Sequence, residues 1–141
     1  MKYLLDTCVI SELIKKTPSK QVVCWISEIP ETNLYISVLT IGEIHKGIEK
    51  LPESKKKEKL HKWVNFDLQE RFKNRIINLD LQVATTWGKI QAQSELAGKA
   101  MPAIDGLIIA TGISHDLIVV TRNIPDMEIK GISLLNPWLQ G

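Results

Sequence analysis

Short apolar runs alternate with segments of helical spacing along this chain, and that alternation limits the fold more than any other feature. Residues 2–5, 34–38, 75–79, 117–121 and 133–135 have the length and the aliphatic or β-branched content of buried strands. Between them the apolar residues fall at helical intervals. Val9, Ile10, Leu13 and Ile14 mark a helix over 8–16, closed by Pro18, and a second over 19–28 ends at Pro30. Thr40 opens a third, carried by Ile41, Ile44 and Ile48 and broken at Pro52. Residues 53–72 read as a long, highly charged helix with Leu60, Trp63, Val64 and Leu68 on one side. A helix over 81–97 has Gly98 as its C-terminal cap, and Pro102 starts another through Ile104, Leu107, Ile108 and Ile113.

Strands that alternate with helices predict an α/β layer structure with a mainly parallel sheet and right-handed crossovers. A length of 141 residues is one domain's worth, enough to bury a core without staples. The 18 basic and 16 acidic residues leave a net charge of +2, which neither demands nor excludes a nucleic-acid partner. Cys8 and Cys24 sit in apolar stretches and read as two free core thiols of a reducing compartment. No signal-peptide core is visible, and no apolar run is long enough to span a bilayer. The expectation is a cytoplasmic, single-domain protein with no membrane partner.

Four acids stand where a parallel sheet presents ligands. Asp6 follows the first strand, Glu43 lies in the first turn of the helix after the second, Asp105 in the first turn after Pro102, and Asp126 beyond the strand 117–121. Each also admits a structural role. Asp6 can cap the next helix, Thr40 and Glu43 form a T-x-x-E capping box, Asp105 suits a helix dipole, and Asp126 suits a turn after Pro125. Gathered at one edge, four carboxylates would repel strongly in a low dielectric, and a divalent cation removes that cost. Hard oxygen ligands suit Mg²⁺ or Mn²⁺, an ion able to hold a phosphate oxygen and to acidify a bound water. Other chemistries find no support. His45, His61 and His115 lack metal-ligand spacing, the cysteines are not C-x-x-C, and there is no nucleophile elbow, P-loop or dinucleotide fingerprint.

The stretches YLLDTCVISEL (3–13), LYISVLTIGEIHKGIEKL (34–51), PAIDGLIIATGISHDLIVVTRN (102–123) and SLLNPW (133–138) together resemble the PIN-domain proteins, and among them the VapC-type toxins of toxin–antitoxin pairs. The resemblance implies a single PIN domain over residues 1–141, a three-layer α/β/α sandwich. It also implies a Mg²⁺- or Mn²⁺-dependent endoribonuclease. The family's acids fall on Asp6, Glu43 and Asp105. A fourth acid, immediately after "TR" in some members, is replaced here by Asn123, with Asp126 the nearest carboxylate. Cys8 stands where the family often has Asn, and a thiol is a poor ligand for Mg²⁺.

On this reading Asp6, Glu43, Asp105 and Asp126 are the catalytic metal ligands. Thr7, Thr121 and Asn123 support them, with backbone bonding an equal alternative for the two hydroxyls. Lys46 and Arg122 are candidates for phosphate contact, whereas Lys55, Lys56, Lys57, Lys59 and Lys62 read as a solvated face. The resemblance further implies a cognate VapB-like antitoxin, an RNA substrate and a homodimer. Ile10, Leu13, Ile14 and Trp25 are candidates for an antitoxin groove, and Trp63 and Trp87 for an interface. The first four serve equally as core residues, and core packing is the preferred reading of Trp63 and Trp87. The alternatives are a non-catalytic PIN-like module binding RNA or protein, and a receiver-like domain, which would want adjacent acids at the first strand.

Overall fold

Five short apolar strands have nowhere to hide except beside one another. In the computed structural model, which describes residues 1–139, they form one sheet. Gln140 and Gly141, at the end of the predicted domain, lie outside the described residues. The strands are β1 (Tyr3–Leu5), β2 (Leu34–Ser37), β3 (Ile76–Ile77), β4 (Ile118–Val120) and β5 (Leu134–Leu135), in the order β3-β2-β1-β4-β5. Every pairing is parallel, so the mainly parallel expectation is met in full. β1 is central. Leu4 lies opposite Tyr35 on one side and Val119 on the other.

The side-chain alternation of the strands splits the core in two. Tyr3, Leu5, Leu34, Ile36 and Val120 face helices α1 (Thr7–Leu13), α2 (Lys20–Glu28) and α3 (Val38–Glu49), together with Val64, Leu68 and Phe72 of the charged segment. Leu4 and Val119 face α6 (Leu81–Leu96) and α7 (Ala103–Ser114). The predicted three layers are therefore present. α7 is apolar on nearly every side because it is covered by the sheet on one face and by α6 on the other.

Most elements fall where the sequence places them, with informative shifts at their ends. The charged helix is continuous over α4 (Lys55–Lys62), a π-helical turn at Trp63–Asp67 and α5 (Leu68–Arg71). The third helix starts two residues before Thr40. Its cap is Ser37, whose hydroxyl accepts from Leu39 N–H at 3.0 Å, not a Thr40–Glu43 box. Asp126 sits not in a turn but in the one-turn helix α8 (Ile124–Met127). Cys24 is exposed rather than a core thiol, since it points outward from α2, while Cys8 is half-buried. Lys57 departs from the solvated face. Its ammonium is buried and donates to the Glu49 and Leu51 carbonyls and to Glu53, closing the turn between α3 and α4.

Candidate active site

The chain runs from β1 to β2 and β3 on one side of the sheet, while β4 and β5 lie on the other. The order therefore reverses between β1 and β4, and a crevice opens beyond their carboxyl ends. Asp6 and Thr121 stand at those ends and meet across the reversal. The Thr121 hydroxyl donates to Asp6 Oδ2 at 2.8 Å and accepts from Asn123 N–H at 3.0 Å. Asp6 Oδ1 accepts from Thr7 N–H at 2.8 Å, so this carboxylate also caps α1. The cap and the Thr121 contact are made by one side chain, only 5% exposed.

The early cap of α3 has a consequence for the site. Because Ser37 takes the capping duty, Glu43 is free to turn toward α1, where Thr7 Oγ1 donates to Glu43 Oε1 at 2.6 Å and lies 3.3 Å from Thr40 Oγ1. Asp105, in the first turn of α7, completes the inner group. Its carboxyl is pushed up to about 6 by burial, then by the charges of Asp6, Glu43 and Asp126. All four predicted acids therefore share one electrostatic environment. Among the described residues, no Lys or Arg forms an ion pair with any of the four. An uncompensated, all-oxygen negative cluster is the donor set a hard divalent cation fits. Among the described residues, no three acid, His or Cys side chains close directly around one point.

Cys8 lies between these groups, its sulfur 3.9 Å from Asp6 Oδ2 and 3.7 Å from Thr121 Oγ1. Burial and the neighbouring Asp6 charge raise its pKa, keeping it a neutral thiol. It therefore donates weakly to Asp6 where the family pattern has an amide. Lys46 is exposed one turn beyond Glu43, in a cleft of about 330 Å³ shared with Glu43 and Ile104. Arg122 is already engaged. Its guanidinium stacks 4.0 Å over Trp138 and lies 3.8 Å from Glu12. Glu12 was not among the predicted residues. It is buried on α1, accepts from Lys15 at 2.9 Å and from Ser19 N–H at 2.9 Å, and Lys15 holds its carboxyl below the usual carboxylate range. A carboxylate on the buried side of a helix otherwise carrying Val9 and Ile10 inward was the available signal.

Sequence comparison carries these positions into a family, for the PIN domain matches residues 3–124. This chain belongs to the PIN-domain family. It is 34% identical to Toxin FitB of Neisseria gonorrhoeae over 96% of its own length and 97% of that protein's. It is 31% identical to VapC ribonuclease Y4jK of Sinorhizobium fredii, covering 96% of each. The structure of FitAB bound to an IR36 DNA fragment superposes with a TM-score of 0.91 at 32% identity, covering 99% of this chain and 97% of that one.

Of the groove candidates, Ile10 and Trp25 belong to the core, whereas Ile14 is 40% exposed. Ile10, Leu13, Ile14 and Trp63 line a cleft of about 260 Å³ between α1 and the π-helical turn. Trp63 and Trp87 each pack against a core cluster. No helix among the described residues is long and apolar enough to cross a membrane.

Proposed function

We propose that the chain is a cytoplasmic, VapC-type toxin, a Mg²⁺- or Mn²⁺-dependent endoribonuclease neutralised by a cognate VapB-like antitoxin. What supports this reading is Asp6 at the sheet reversal, Glu43 tied to α1 through Thr7, and the charges of Asp6, Glu43 and Asp126 all bearing on Asp105, with no Lys or Arg among the described residues ion-paired to the four. A bound divalent ion supplies Lewis acidity toward a phosphate oxygen and lowers the pKa of a coordinated water. Asp6 and Asp105 would be the principal ligands of that ion, Glu43 would bind it directly or through water, and Asp126 would complete the acidic rim. Glu43, fixed by Thr7, takes the proton of the attacking water. Thr121 holds the Asp6 carboxylate in its aim, and Lys46 meets a flanking phosphate. Arg122 contributes by holding Trp138 and Glu12 beside the site.

The antitoxin reading draws on the likeness to a protein named a toxin and to the FitAB assembly on DNA. The cleft at Leu13, Ile14 and Trp63, which Asp67 and Arg71 also line, offers a seat for such a partner, and a second copy of the chain is expected alongside. The whole of residues 1–141 is read as one PIN domain. A direct test uses purified chain freed of antitoxin, RNA, and added Mg²⁺ or Mn²⁺. The parent should cut, and Asp6→Asn should cut at least 100-fold more slowly while keeping its fold by circular dichroism. Equal cutting by the two chains would remove Asp6 from the mechanism. No cutting by the parent under any of these conditions favours the non-catalytic alternative.

A further inference from the structure

We infer that the cleft behind Asp126 is a nucleotide subsite, which takes an unpaired RNA nucleotide next to the scissile phosphate and gives the enzyme a base preference. The inference rests on the ribonuclease reading above. The cleft measures about 310 Å³ and lies between the last turns of α6, the loop after it and α8. Its lining combines four chemistries, one of them the two carboxylates of Asp126 and the exposed Glu128. Ile90 and Met101, both nearly fully buried, give it an apolar floor. Gln93 and Ser94 bring an amide and a hydroxyl to one wall, and Lys99 and Lys130 bring two exposed ammonium groups to the rim. A base face suits the floor, a base edge suits the amide and hydroxyl, and the backbone phosphates suit the lysines. Asp126, read above as the outer rim of the acid cluster, itself lines the cleft, so an occupant of the cleft meets that rim.

The rim is built rather than accidental. Gly98 takes a left-handed φ of 73°, Lys99 N–H donates to the Ser94 carbonyl at 2.9 Å and Gly98 N–H to that of Glu95 at 3.1 Å. This pair of bonds is a Schellman cap, and it fixes where Lys99 leaves the helix. On the other side Lys130 is followed directly by Gly131, also left-handed at φ 95°. A paired base cannot enter such a cleft, so the substrate is single-stranded across the cut.

The test separates phosphate contact from base reading. Equilibrium binding of a single-stranded oligoribonucleotide to the Asp6→Asn chain is measured from low to high salt. Adding Lys99→Ala and Lys130→Ala should make the log–log salt slope shallower by about 1.4, two contacts at roughly 0.7 each on single strands. In the cleavage-competent chain, Gln93→Ala should broaden the bases accepted beside the mapped 5′ ends and keep the salt slope. An unchanged slope in the double lysine variant overturns the subsite, as does a Gln93→Ala chain that cuts at the parent's positions with the parent's preference. A parent that fails to cut overturns the ribonuclease reading instead, and the slope, measured without cleavage, still decides the cleft.

Discussion

Asp6 does three things with one carboxylate. It caps α1, receives the Thr121 hydroxyl, and stands at the sheet reversal. Removing its orienting partner should therefore hurt chemistry more than folding. Thr121→Val is expected to lower cleavage and metal affinity by about 10–100-fold with the fold kept, read as kcat and a metal titration followed by circular dichroism. Asp105 gives a pH signature. Its carboxyl binds a proton more tightly folded, near 6, than unfolded, near the ordinary 3.8. The folded state therefore loses relative stability as pH rises from about 4 through about 6, and the full cost stands above that window. In metal-free protein Asp105→Asn should leave the melting temperature unchanged below about pH 4 and raise it at pH 7. The acids were legible in the sequence because strand ends and helix starts put them at a predictable edge. Glu12 and the engagement of Arg122 were not, since Arg122 is held by Trp138, 16 positions further on, a pairing that no local period reports.

At the scale of elements, strands and helices followed from periodicity, but their ends followed from single hydrogen bonds. Ser37 outcompeted Thr40 as the α3 cap because it is the last strand residue and its hydroxyl already faces Leu39 N–H. Lys57 defied its charged run because three oxygens converge on its ammonium. Composition alone contains neither fact. The packing of α7 on β4 gives a sharper test. A Cβ on Gly112 would meet Val119 Cγ2 at 2.6 Å and the Leu117 carbonyl at 3.3 Å, and a β-branched strand residue cannot swing away. Gly112→Ala should cost about 1–3 kcal/mol, more than the gain of about 1 kcal/mol from helix propensity, as a lowered urea midpoint. At Gly88, on α6 with open space around the added Cβ, the same change should stabilise by up to about 1 kcal/mol, read as a raised midpoint.

For the molecule as a whole, the sheet order decides both where the site lies and how it responds to ions. Four acids that no Lys or Arg among the described residues ion-pairs leave the fold open to stabilisation by metal. Mg²⁺ or Mn²⁺ at about 100 times its Kd should add about 2.7 kcal/mol, seen as a raised melting temperature at pH 7, reversed by chelator and much reduced at pH 5, where Asp105 holds its proton. The same topology also sets a clock. β1 is made first, yet one of its two partners is β4, and Asp6 receives its hydroxyl from a residue 115 positions later. While the ribosome adds about 5–20 residues each second, the nascent chain carries Asp6 without the neighbours that aim it. The acid cluster can assemble only once residues 118–126 have emerged, so four of the five strands are made before this chain has a site at all.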